Sequence, residues 1–124
     1  MLAVVKKCGM APEIMHIAGD LRDLQGIVGG LIEPLALDER TDIICNDEGK
    51  ILGLPMNVVL ECDGEEGPVL ADVLCGDIVF VGCDRERGCF VSLELGTAAD
   101  LLRRLSSEFV MTSSLELVPV LHIG

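Results

Sequence analysis

Asp20-Leu21-Arg22-Asp23-Leu24-Gln25-Gly26-Ile27-Val28-Gly29-Gly30 is the stretch on which the fold turns. Asp20 suits the cap of a helix, and Asp23 lies in its first turn, at the positive end of the helix dipole. Leu21, Leu24, Ile27 and Val28 recur at helical spacing, and Gly29-Gly30 supplies the residue that closes a helix. The spacing predicts a short helix over 20–29. On either side the pattern is that of strands. Upstream, residues 3–7 and 13–18 read as a hairpin around Cys8-Gly9-Met10-Ala11-Pro12. Downstream, residues 31–37 read as a strand in which Pro34, lacking a backbone donor, implies an edge or a bulge.

Further along, residues 42–46 and 50–54 flank Asp47-Glu48-Gly49 and read as a second hairpin. Leu54-Pro55-Met56-Asn57 reads as a helical turn with Pro55 at its first position, and residues 61–68 as a loop. Residues 69–74 and 77–83 read as strands, the second carrying Ile78-Val79-Phe80-Val81 and so buried on both faces. Asp84-Arg85-Glu86-Arg87-Gly88 turns the chain into a strand at 89–93. Thr97 and Asp100 resemble a capping box opening a helix to 109, with Leu101, Leu102, Leu105 and Phe109 inward. Residues 115–123 alternate as a strand, and Pro119 again implies an edge. The expected architecture is α+β: a mostly antiparallel twisted sheet with two helices, over about 20–29 and 97–109. Residues 1–124 are expected to form a single compact domain. Residues 110–124 are its C-terminal edge-strand extension, which a second subunit of a homo-oligomer would cover.

Nine Lys and Arg against 21 Asp and Glu give a net charge of −12, yet half of the residues are hydrophobic. Acidic charge carried on a domain with a core argues against a phosphate-backbone binder, and the near absence of aromatic residues argues against a base-stacking platform. No nucleic-acid partner is expected. No membrane partner is expected either, since no run reaches the ~18–20 apolar residues a spanning helix needs. The apolar start before Lys6-Lys7 is too short for a secretion signal. Six irregularly spaced cysteines read as free thiols of a reducing cytoplasm. A reversible bridge between Cys83 and Cys89, facing each other across a hairpin, is the minor alternative to that reading.

No specific catalytic set stands out. Gly26-x-x-Gly29-Gly30 ends a helix instead of leading into one, so it cradles no phosphate. His16 reads as an ordinary strand residue, and His122 lies almost at the terminus. Glu61, Asp63, Glu65 and Glu66 crowd one segment without the order of a calcium loop. No catalytic residue, metal or cofactor is expected. Basic residues gather at Lys6-Lys7, Arg85/Arg87 and Arg103-Arg104. Two such islands brought together by folding would hold an anionic small molecule; the simpler reading is a solvated face.

Three segments carry a resemblance. Leu24-Gln25-Gly26-Ile27-Val28-Gly29-Gly30-Leu31-Ile32-Glu33, Ile44-Cys45-Asn46-Asp47-Glu48-Gly49-Lys50 and Gly53-Leu54-Pro55-x-Asn57 resemble an uncharacterised small domain family of phages, mobile elements and Gram-positive bacteria. Residues 71–82 are similar to that family's apolar strand, whereas the tail from 110 has no counterpart. The resemblance implies a phage-type accessory protein and makes Glu33, Asn46, Glu48, Lys50 and Asn57 candidate ligand-binding residues, each of which turn chemistry also explains. The leading expectation is a non-enzymatic protein of the host cytoplasm. It would sequester a small polar ligand, such as a nucleotide-derived immune signal, to counter host defence. The alternative is an acidic protein-interaction module or DNA mimic that inhibits a basic host enzyme. An enzyme using a thiol or a carboxylate pair ranks third.

Overall fold

The structure, a computed structural model, describes residues 1–123. Its elements are β1 (Leu2–Lys6), β2 (Glu13–His16), α1 (Leu21–Val28), β3 (Ile32–Ala36), β4 (Thr41–Asn46), β5 (Met56–Gly64), β6 (Gly67–Cys75), β7 (Ile78–Asp84), β8 (Cys89–Val91), α2 (Leu95–Arg104), β9 (Phe109–Met111) and β10 (Leu117–Ile123). They build an α+β fold of two sheets. One is antiparallel, ordered β2-β1-β7-β4-β3 with β8 also beside β7. The other is ordered β6-β5-β10-β9, with β5 and β10 parallel and the remaining pairs antiparallel.

Successive side chains of a strand point to opposite faces, so a strand that reads as one apolar run must be covered twice. β7 is such a strand. Ile78 and Phe80 enter a core with Val4, Ile43, Leu101 and Leu121, beneath α2 and the second sheet. Val79 and Val81 enter a separate core with Ala3, Val5 and Ile44, capped by Leu24 and Val28 of α1. Each fully buried aliphatic side chain contributes about 1.5–3 kcal/mol, so the two faces of β7 anchor both layers. Helix α1 forms as its sequence dictates. Asp20 Oδ1 accepts from Asp23 N at 2.8 Å. Gly29, at φ 79°, closes the helix by donating to the Gln25 carbonyl at 2.9 Å.

The strands at 3–7, 13–18, 31–37, 42–46, 69–74, 77–83 and 89–93 are present with shifts of a residue or two, and β3 with Pro34 is an edge. The hairpin through residues 50–54 is not. β4 has β3 on one side and β7 on the other, which leaves no edge for a returning strand. The chain instead winds through consecutive turns, with Leu52 N donating to the Glu48 carbonyl and Leu54 N to that of Gly49. Ile51 is left 85% exposed. Residues 54–57 form no helical turn, because Met56 begins β5. Residues 61–68 form no loop, because β5 and β6 pair out to Gly64 and Gly67.

The second helix is shorter than expected. It spans Leu95–Arg104 with Glu94 at its cap, so Thr97 lies inside it and makes no capping box. Ser106 and Ser107 hydroxyls donate to the carbonyls of Leu102 and Arg104, ending the helix by competing for its backbone. Phe109 thereby leaves the core and opens β9. β10 is internal, not an edge. Pro119 is accommodated because β9 pairs with residues 117–119 and β5 with residues 120–123, so the missing donor falls where one neighbour hands over to the other. Cys83 pairs with Phe90 and Cys89 with Asp84, which puts the two thiols on opposite faces of the hairpin instead of face to face.

Candidate functional site

Three of the five candidate residues line one cleft. Pairing of β3 with β4 sets Glu33 opposite Cys45 and Ile32 opposite Asn46, and the turn after β4 returns Lys50 over β6. Glu33, Cys45, Asn46 and Lys50, together with Asp47, Asp72 and Cys75, border a cavity of about 250 Å³. Glu48 is exposed and lies outside this lining; its backbone N donates to Asn46 Oδ1 at 2.8 Å. Asn57 is elsewhere and 1% exposed. Its Nδ2 donates to the carbonyls of Lys6 and Gly76, at 2.7 and 2.8 Å, and its Oδ1 accepts from Lys6 Nζ at 2.9 Å. Asn57 thus ties β1 to the start of β5 and to the β6–β7 turn.

The cleft is acidic. Lys50 Nζ rests on Asp72 Oδ1 at 2.5 Å, and that carboxylate raises the lysine pKa above its ordinary value. Burial raises the pKa of Glu33, and the carboxylates of Asp47 and Asp72 add to the shift while Lys50 opposes it. The Cys45 thiol donates to the Glu33 carbonyl at 3.4 Å. Burial, followed by the neighbouring carboxylates, pushes its pKa up to about 11. This shift favours the protonated thiol, the less nucleophilic form. Burial raises Cys8 and Cys83 as well. The cleft presents hydrogen-bond acceptors, carboxylates and one cation already paired, a combination suited to the donor-rich edge of a polar ligand.

The basic islands do not assemble an anion site. Lys6 is buried on Asn57 and the Lys7 carbonyl, and desolvation lowers its pKa. Arg85 bonds Asp42 and the Asp38 carbonyl, Arg87 faces Asp84, Arg103 bonds Asp100, and Arg104 bonds the His122 carbonyl. A larger open hollow of about 550 Å³ carries Arg40 and Arg85, but Glu39, Asp84, Glu86 and Glu94 line it too.

A cluster the sequence reading missed lies on the second sheet. Register places His122 of β10 beside Glu61 of β5. Its Nδ1 lies 3.8 Å from Glu61 and its Nε2 lies 3.2 Å from Asp63. The Glu-x-Asp spacing of β5 was the available signal, obscured by reading residues 61–68 as a loop. The two carboxylates meet opposite ring nitrogens, so one cation cannot be shared among all three groups. Among the described residues, no three His, Cys, Asp or Glu side chains converge on a metal position, and no helix is long and apolar enough to cross a membrane.

Residues 1–106 match the family model of a domain of unknown function, DUF3846, and the chain belongs to that family. No curated protein and no solved structure matches the chain.

Proposed function

With membership of DUF3846 as the premise, we propose that the protein is a non-enzymatic binding protein. It holds a small polar ligand in the cleft of Glu33, Asn46 and Lys50 and, as a phage-type accessory protein in the host cytoplasm, sequesters that ligand from a defence system. The observation that supports this reading is the meeting of those residues, from β3, β4 and the following turn, at one cavity whose thiol is held protonated. Three carboxylates against one paired ammonium favour a ligand read through its hydrogen-bond donors. For a nucleotide-derived signal this means the base and sugar, with the phosphate kept outside. The test is to purify the protein from signal-producing cells, denature it and identify released small molecules by mass spectrometry. Retention of a compound that the Lys50→Ala and Glu33→Ala proteins release supports the proposal, and an empty wild-type protein across the signal classes overturns it.

The alternative is an acidic module docking on a basic host protein. It draws support from the pairing of Lys50, Arg85, Arg87 and Arg103 with the chain's own acids, which leaves the excess negative charge outward. Recovery of one basic protein in a salt-sensitive pull-down would favour it. In either role the protein is proposed to self-associate through β9. This edge strand offers Phe109, Val110 and Met111, all exposed, without the proline or charge that blunts β3 and β6.

A further inference from the structure

Gly26 lies in the interior of α1, and among the described residues no close contact requires a glycine there. Elsewhere glycine is required: a Cβ at Gly30 would lie 2.9 Å from Asn46 Nδ2, and one at Gly49 would lie 2.5 Å from the Cys75 carbonyl oxygen. A Cβ at Gly26 would meet no atom within 4 Å, and the residue adopts no left-handed conformation. Gly96 is equally open, but it lies in the first turn of α2. A glycine inside a helix is costly in chain entropy, and one use of glycine is to let a ligand approach the backbone closely.

Gly26 forms one wall of a second cleft, of about 420 Å³, with Ile27, Leu52, Leu54, Pro55 and Asp77. Four of these are apolar side chains, and Leu52 is largely exposed. The charge in the cleft has one sign. No Lys or Arg lines it, and α1 ends there with no basic residue in its last turn. The partially negative end of the helix dipole and the Asp77 carboxylate thus border the same cleft. Asp77 Oδ1 accepts from Cys8 N at 2.9 Å, which orients the carboxylate. The ammonium of Lys6, close enough to feel Asp77, is buried on Asn57 and the Lys7 carbonyl and does not line the cleft. The amide of Asn46, which borders the cleft, is spent on Val28.

We infer that this cleft is a binding site for an aliphatic chain ending in an ammonium or guanidinium group. The chain lies over Ile27, Leu52, Leu54 and Pro55 against the bare backbone of Gly26. The cation meets Asp77 and the carbonyl end of α1. Such a group is carried by a free alkylamine or by a lysine or arginine side chain. The site does not depend on the function proposed for the Glu33–Lys50 cleft.

Titration of the ¹⁵N-labelled protein with n-pentylammonium and with N-acetyl-lysine methylamide tests the inference, with pentanoate and pentanol as controls. Saturable amide shifts confined to residues around 26–29, 52–55 and 76–77 are expected for the two cations only. Gly26→Leu is expected to weaken binding roughly tenfold or more. Gly26→Ala should weaken it less and retain the native spectrum, so it serves if the leucine variant does not fold. Lys50→Ala should leave this binding unchanged, which separates the two clefts. Tighter binding of the lysine amide assigns a partner's side chain as the source, and tighter binding of pentylammonium assigns a free amine. Absence of saturable shifts with either cation, equal binding of pentanoate or pentanol, or undiminished binding to natively folded Gly26 variants overturns the assignment.

Discussion

The side-chain amide of Asn46, at the end of β4, donates to the carbonyl of Val28 in the last turn of α1 across 3.2 Å. Its Oδ1 accepts from Glu48 N. One buried side chain thus closes a helix and starts a turn. Asn46→Ala leaves both backbone groups without these partners and is expected to cost about 1–3 kcal/mol in urea denaturation. Gly30→Ala forces its methyl against the same amide. It should therefore cost less in the Asn46→Ala background than in the wild type, a coupling that a double-mutant cycle measures.

Gly26→Ala is expected to raise stability by about 0.5–1 kcal/mol, since the added methyl meets nothing and the unfolded chain loses freedom. Thermal denaturation without ligand is the check. A loss of stability would mean that the glycine serves the fold itself.

The thiol of Cys45 is lifted from 9.0 to about 11 in the folded protein. A raised folded-state pKa favours the protonated form, so its contribution is complete below the unfolded value and is lost as pH rises through about 11. Denaturation midpoints followed into that alkaline window should fall less steeply for Cys45→Ala than for the wild type, whatever the variant loses at neutral pH from its smaller side chain.

Lys50 and Asp72 form an exposed ion pair, and such pairs contribute about 0–1 kcal/mol. Lys50→Ala should therefore shift the melting temperature little while reducing ligand retention in the cleft. A large loss of stability would assign the lysine to the fold instead.

Met111 is 61% exposed on β9. Met111→Lys places a charge on this unprotected edge and is expected to abolish concentration-dependent association in light scattering, with stability changed by no more than about 0.5 kcal/mol. Association equal to that of the wild type would exclude this edge.

Local signals in the chain were legible where one short segment carries its whole explanation. Asp20, Asp23 and Gly29 cap α1 by contacts within ten residues, and the unbroken apolarity of Ile78–Val81 requires cover on both faces. Two of the errors share one cause. Residues 50–54 read as a returning strand because they follow the Gly-containing connection Asp47-Glu48-Gly49, but whether a strand forms depends on a free edge, and β3 and β7 had taken both sides of β4. Pro119 reads as an edge residue until its two neighbours are seen to divide β10 between them.

The candidate site divides the same way. Glu33, Asn46 and Lys50 meet because β3 pairs with β4 and the next turn folds back over β6. Asn46 borders that cleft with its amide already engaged by Val28 and Glu48 N, and Asn57, equally polar and close in sequence, is drawn into a buried network with Lys6. By itself the sequence determined the α+β class, the α1 caps and the doubly covered central strand, because those follow from short-range hydrogen bonding and the period of apolar residues. Only the tertiary structure decided which polar side chains are consumed by the fold and which face a cleft. That choice depends on partners 18 to 51 residues distant, such as Val28 for Asn46 and Lys6 for Asn57, and no local pattern specifies them.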